Sequence, residues 1–203
     1  MPLEGNPAAG RSGLREVSDV RALRALAHPV RVALMEALVL YGPLTATQAG
    51  EKIGETPTTC SFHLRQLARY GFVEEAGGGK GRARPWRLTA IGMHISAVHD
   101  DLEAEQAAAA LVRLLRARHL DRYQTWLESK AGYPREWRAA SEDSQLLLWL
   151  TTGELQELKR ELSALLLPRF RERLTDPRAR PADALPVELL LFAYPIAPPP
   201  RER

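Results

Sequence analysis

The chain has 203 residues, of which 45% are hydrophobic and 26% charged, enough for one large domain or two small ones with a real core. No apolar run approaches the ~18 residues of a membrane span, the first residues carry no apolar leader segment, and the lone Cys60 excludes an internal disulfide and fits a reducing cytoplasm. The net charge of +3 is concentrated early. Residues 1–90 hold twelve Lys and Arg against eight Asp and Glu, while residues 91–203 hold sixteen against seventeen, so a polyanion would meet the first half.

In chain order, residues 1–16 are rich in Gly, Pro and Arg without periodicity and read as a flexible tail. Ser18 is placed to cap a first helix on which Val20, Leu23, Leu26 and Ala27 recur at helical spacing. Pro29 opens a second helix whose buried face is Val30, Leu34, Ala37, Leu38 and Tyr41, with Gly42-Pro43 as its stop. Thr45 and Gln48 make a capping-box pattern for a short third helix ending at Gly54. Its Ala49-Gly50 pair is small, which predicts loose packing. Thr56 then caps a fourth helix with Pro57 in first position, running to Tyr70 before Gly71. Two short helices joined by a tight glycine turn form a helix-turn-helix pattern.

The segments Phe72–Glu75 and R-A-R-P-W-R-L-T flank a flexible A-G-G-G-K-G tip and read as a hairpin, with Pro85 confining its second strand to an edge or bulge. A hairpin directly after the second helix of such a pair is a wing. A long helical pattern follows from Ala90 to about His119, strengthened by an alanine run. Beyond it, Q-L-L-L-W-L and V-E-L-L-L-F-A-Y read as two buried strands either side of a helix capped by Thr151 and Glu154. The closing Pro-rich residues cannot pair and read as a disordered tail. The expected fold class is mainly α with small β. It comprises a helix-turn-helix with wing over 17–95, a linking or dimerisation helix over 96–123, an α+β effector or dimerisation unit over 124–196, and tails over 1–16 and 197–203.

On the fourth helix, Cys60, Leu64 and Leu67 fall at i, i+4 and i+7 and form an apolar stripe facing the core. Thr58, Thr59, Ser61, Phe62, Arg65, Gln66 and Arg69 occupy the remaining surface, with His63 beside the stripe and within reach of a phosphate. Hydroxyls, an amide, guanidinium groups and an apolar contact are the groups that read base edges and phosphates in a major groove. The alternatives are weaker. Cys60 on the stripe is a small core residue rather than a nucleophile, Ser61 lacks the strand-to-helix glycine context of a hydrolase elbow, and G-G-G-K-G lies in a hairpin rather than between a strand and a helix. His94 and His99 are five apart and point to different faces, so no metal site and no cofactor is expected.

L-R-A-L-A-H-P-V-R-V-A-L-M-E-A-L followed by T-T-C-S-F-H-L-R-Q-L-A-R-Y-G-F-V-E-E resembles the winged-helix transcriptional regulators of the ArsR type over about residues 17–95. The resemblance implies a dimeric, cytoplasmic regulator, a repressor by type, that binds double-stranded DNA and has no chemistry of its own. It places Thr58, Thr59, Ser61, Phe62 and Arg65 towards the bases, and Lys80, Arg82 and Arg84 of the wing on phosphates or in the minor groove. The C-x-C thiol pair of the metal-sensing members is missing from the third helix, which reads Q-A-G-E-K-I. L-W-L-T-T-G-E-L, L-P-R-F-R-E-R and P-V-E-L-L-L-F-A-Y-P look like an extension of actinobacterial winged-helix regulators. In that extension Trp126, Trp137, Trp149 and Tyr194 are candidates to line a pocket for a planar apolar effector, against the alternative of filling a small core. The rival functions are a protein–protein adaptor built on a winged helix and a small enzyme on the C-terminal half.

Overall fold

The computed structural model describes residues 14–77, 84–96, 98–99 and 101–196. The fold is mainly helical with small β elements. A short strand β1 (Leu14–Val17) precedes three helices, α1 (Val20–Leu26), α2 (Pro29–Tyr41) and α3 (Ala46–Ile53), and the fourth, α4 (Pro57–Arg69). The wing strands β2 (Val73–Glu75) and β3 (Trp86–Leu88) follow, then β4 (Gly92–Ile95), the long α5 (Leu102–Ser129), α6 (Arg135–Ala140) and α7 (Thr152–Thr175). Among the described residues no helix is long and apolar enough to cross a membrane.

The caps explain where the helices begin. Asp19, not Ser18, caps α1 by accepting from the Ala22 amide at 2.8 Å; as a carboxylate it is also the better partner for a helix N-terminus. His28 caps α2, its Nδ1 accepting from Val30 N at 3.2 Å ahead of Pro29 in the first turn. Thr45 and Gln48 close a reciprocal capping box on α3, and Gly54 ends that helix in the left-handed region at φ 75°. Thr151 and Glu154 do the same at the start of α7.

Two stretches fold differently from their sequence pattern. Leu14–Glu16, assigned to the flexible tail, belong to β1, which pairs in parallel with β4, Leu14 opposite Gly92 and Val17 opposite Ile95. Ile91–Ile95, assigned to the start of a long helix, contains that partner strand, β4: Ile91, Met93 and Ile95 also alternate with period two, and α5 begins only at Leu102, capped by Asp101. A helix over these residues would forfeit the ladder with β1. The helix also runs past His119 to Ser129.

The wing strands pair antiparallel, Val73 opposite Leu88 and Glu75 opposite Trp86, and Leu44 adds a two-bond bridge to Trp86 on the other side. The core gathers Leu23 and Leu26 of α1, Leu34 and Leu38 of α2, Ala49 of α3, Cys60, Leu64 and Leu67 of α4, then Phe72, Val73 and Leu111. Ala104, Ala107 and Ala108 on α5 are buried with them; their small side chains let α5 lie close against α1. Leu23 and Leu111 are therefore fully buried within one chain and unavailable to an intermolecular helix pair. The third helix is not loosely packed either. A side chain at Gly50 would place its Cβ 2.5 Å from the Glu55 carbonyl oxygen, so α3 and the turn after it are in close contact.

Polar contacts also tie the C-terminal half to the winged helix. Glu36 of α2 accepts from Arg118 Nη2 at 2.6 Å and Arg122 Nη1 at 2.7 Å on α5, and Arg122 also pairs with Glu188. The two guanidinium groups hold the Glu36 carboxyl below the usual range even though burial opposes this. Arg180 donates to the Leu40 and Val39 carbonyls at 2.6 and 3.1 Å, capping the C-terminus of α2 with a cation. Pro177 lies against Gly42. The two stretches expected as C-terminal strands, Gln145–Leu150 and Val187–Tyr194, run without strand partners among the described residues.

Candidate nucleic-acid interface

Helix α4 is held from both ends. Thr56 accepts from the Thr59 amide at 3.1 Å, and its hydroxyl also meets that of Thr59 at 2.9 Å. At the far end Arg15 reaches across from β1 to donate to the Tyr70 carbonyl at 2.6 Å, its guanidinium 4.1 Å from the centre of the Phe72 ring. A cation on an otherwise unpaired C-terminal carbonyl is favourable on both hydrogen-bond and dipole grounds. This role for Arg15 was hidden by its place in what reads as a tail.

Between those clamps the buried side of α4 is Cys60, His63, Leu64 and Leu67. Thr58, Phe62, Arg65 and Arg69 are exposed and, at i, i+4, i+7 and i+11, form one narrow stripe on the opposite side. Phe62 is 52% exposed, a large aromatic ring with no core to join. Ser61 and Gln66 flank the stripe, half-buried. Among the described residues neither Arg65 nor Arg69 has an acidic partner, so both cations are free to meet an external anion. Thr59 is half-buried and its hydroxyl is engaged with the cap.

His63 does not belong with the readers. It is 8% exposed and turned inward, its ring 4.4 Å from that of His28 and 5.1 Å, edge-on, from that of Phe62. Three residues on from Cys60, it lies on the flank of the apolar stripe, and the packing of α2 against α4 covers that flank. The A-H-P motif thus gains a structural account: His28 caps α2 and packs, tilted, against His63 of α4. Burial lowers the basicity of both rings, the neighbouring Arg31 adds to this in both, His28 adds to it at His63, and Glu55 opposes it. His119 is lowered by burial as well. When a base is less basic folded than unfolded, the unfolded chain takes up the extra proton. Stability is then full above the unfolded value near ~6.5 and falls as pH drops through it. The melting temperature is therefore expected to fall between pH 7.5 and 5.5, and His63→Leu should flatten that dependence; an unchanged slope in the variant would remove the histidine pair as its source.

On the wing, Arg84 is exposed and lies 3.6 Å from Glu75, while Arg87 pairs with Glu74 at 2.7 Å across the two strands. Exposed pairs of this kind are weak and yield readily to a phosphate. Lys80 and Arg82 lie outside the described residues. Arg87 is an exposed cation that the sequence reading passed over; its alternation with Trp86 and Leu88 on a half-buried strand is the signal that marks it.

Cys60 is wholly buried, and desolvation raises its thiol above the ordinary value. Thiolate is the reactive form, so thiol reagents should label the native protein slowly, and Cys60→Val should keep the fold. Rapid labelling of the folded chain would contradict this burial.

A cleft of about 1400 Å³ separates the winged helix from the C-terminal half. Met35 and Val39 of α2, Met93 of β4, Leu115 of α5, Leu158 of α7 and Leu191 line it. Of the four aromatic residues expected to gather in an effector pocket, Tyr194 lines this cleft and the three tryptophans do not. Trp126 stacks on Tyr123 along α5, Trp137 sits on α6, and Trp149 is fully exposed.

A family model described as a helix-turn-helix domain matches residues 26–76, from the end of α1 to just beyond β2. No curated protein matches the chain. Residues 26–76 are thus a helix-turn-helix domain, the kind of module that sets its second helix in the major groove of duplex DNA.

Proposed function

We propose that the protein is a cytoplasmic transcriptional regulator of the ArsR type, a repressor that binds double-stranded DNA as a homodimer. The observation that carries the reading is the exposed stripe Thr58, Phe62, Arg65 and Arg69 on α4, opposite a buried one, with two cations that have no acidic partner among the described residues. α4 is the recognition helix, and the wing with Arg84 and Arg87 follows the backbone beside it. A two-fold dimer would present two such helices to successive major grooves about one turn apart. Control enters through the cleft: its wall includes α2, the helix that His28 stacks onto α4, so an apolar effector held there would act on the helix that positions the reader.

Arg65→Ala is expected to cost about 1–3 kcal/mol on the cognate site, roughly a five- to 150-fold loss, and to relax base preference. Arg84→Ala should weaken all duplexes more evenly and flatten the salt dependence. Titration of labelled duplexes at several salt concentrations reads both. Unchanged specific binding in Arg65→Ala would remove α4 as the reading helix. Salt-independent binding to random duplex would favour the adaptor reading.

A further inference from the structure

Two features have no part in reading DNA: the apolar stripe of α7, and His94. Leu155, Leu158 and Leu162 recur on one face of α7, a 24-residue helix, yet no residue of that helix is buried. All three are half-buried and line the cleft, together with Met35 and Val39 of α2 and Leu115 of α5. At about 1400 Å³ the cleft exceeds the ~300–1,000 Å³ of a usual small-molecule site, so a long ligand suits it better than a compact one.

His94 marks a polar end. It stands on β4, and its Nε2 lies 3.5 Å from Nζ of Lys159 on α7. Both residues line the cleft, and among the described residues neither has a carboxylate partner. The other cations there are engaged: Arg15 on the Tyr70 carbonyl, Arg118 and Arg122 with Glu36, and Arg116 over the Phe192 ring. The cleft carboxylate without an ion pair among the described residues, Asp121, adjoins Arg122 on α5 rather than β4 or α7. An ammonium and an imidazole nitrogen side by side suit one carboxylate, whose two oxygens can accept from both. A phosphate is served less well, because the N-terminus of α7 is closed by its own Glu154.

We infer that the cleft binds a fatty acid, its unbranched chain lying along Met35, Val39, Leu115, Leu158 and Leu162 and its carboxylate held by Lys159 and His94. This rests on the reading of the cleft as an effector site given above and names the class of ligand. The lining decides between an aliphatic chain and a planar ring. Of the aromatic rings in the cleft, Phe72 and Phe192 each already carry a guanidinium, at 4.1 and 3.7 Å, which leaves Tyr194 to stack. The remaining apolar lining is aliphatic or thioether, and methionines such as Met35 and Met93 adapt to a flexible chain. The planar effector expected from the tryptophans is therefore not the one these walls fit. A chain bound in this way touches α2, the helix whose His28 packs against α4.

The test uses the full chain and decanoate below its micelle concentration, read by titration calorimetry. Decanoate should bind saturably, decan-1-ol about tenfold more weakly, and decyltrimethylammonium not at all. Dodecanoate should bind about tenfold more tightly for its added methylenes. Lys159→Met keeps the stem of an exposed side chain and should weaken decanoate about tenfold while leaving decan-1-ol unchanged; Leu158→Gln should weaken both alike. Thermal melts establish that the variants fold, and the comparison of head groups on the wild-type chain decides even where a variant does not. An acid that binds no more tightly than the alcohol, or no saturable binding, overturns the inference and leaves the reading of DNA by α4 standing. Lys159→Met that folds and binds decanoate as before also overturns it. Titration of a labelled duplex with and without decanoate reads the control of DNA binding separately. Saturable, Lys159-dependent binding with duplex affinity unchanged supports the ligand site and overturns control through the cleft; a shift in duplex affinity supports both.

Discussion

Leu64→Ala is expected to destabilise the protein by about 2–5 kcal/mol, a large part of the ~5–15 kcal/mol that holds a typical domain. Leu64 is wholly buried at the middle of α4, in the cluster that joins that helix to Leu23 and Leu26, Leu34 and Leu38, and Ala49. Truncation removes the transfer free energy of the side chain and leaves a void lined by three other helices, each fixed by its own cap and unable to collapse freely. Phe62→Ala, two residues earlier on the exposed stripe, is the internal control: it should leave stability within ~0.5 kcal/mol while weakening DNA binding. Urea unfolding of both variants separates the faces. A loss below ~1 kcal/mol for Leu64→Ala, well short of the usual range, would mean that α4 is rotated from the orientation described.

Gly50→Ala should also destabilise, although helix propensity alone favours alanine there by ~1 kcal/mol. The added Cβ would stand 2.5 Å from the Glu55 carbonyl oxygen and 3.6 Å from Cys60 Sγ. The first contact is with backbone, which cannot turn aside as a side chain can. Moreover the Gly50 carbonyl accepts from both Gly54 and Glu55, so the turn is tied to this residue. Overpacking costs about 1–3 kcal/mol, which outweighs the propensity gain. The displacement falls on the α3–α4 turn, so affinity for duplex should fall beyond what stability explains. Denaturation and titration on the same preparation read both effects; a variant that melts higher and binds as before would show that the turn has room.

The winged helix was readable because its local signals agree. Thr45, Gln48 and Gly54 bound one helix, Thr56, Pro57 and Gly71 the next, and the period of Cys60, Leu64 and Leu67 sets the buried face. What stayed hidden depends on partners distant in sequence. Nothing near Leu14 or Gly92 reveals that they meet as parallel strands, and Ile91–Ile95 satisfies a helical and a two-residue period equally well over so short a run. His63 sits on the border of the stripe, where only the position of His28 decides its burial. Of the expected readers, Thr58, Phe62, Arg65 and Arg69 are exposed, and Thr59 is drawn into the cap. In the C-terminal half the apolar runs Gln145–Leu150 and Val187–Tyr194 read as buried strands, but neither forms a strand among the described residues and both are largely exposed, so the arrangement of the tryptophans was not legible from them.

The pairing of β1 with β4 also bears on how the molecule comes into being. The helices from α2 to α4 are neighbours in sequence and can assemble as they are made. Leu14, among the first of these residues to be synthesised, has to wait for Gly92 before it has a partner. Until then Arg15 has no settled path to the Tyr70 carbonyl, and the end of α4 remains uncapped. Closing so long a span is paid for in chain entropy before any ladder bond is gained. Pairing of β1 with β4 is therefore expected to follow the formation of α4, the proposed recognition helix.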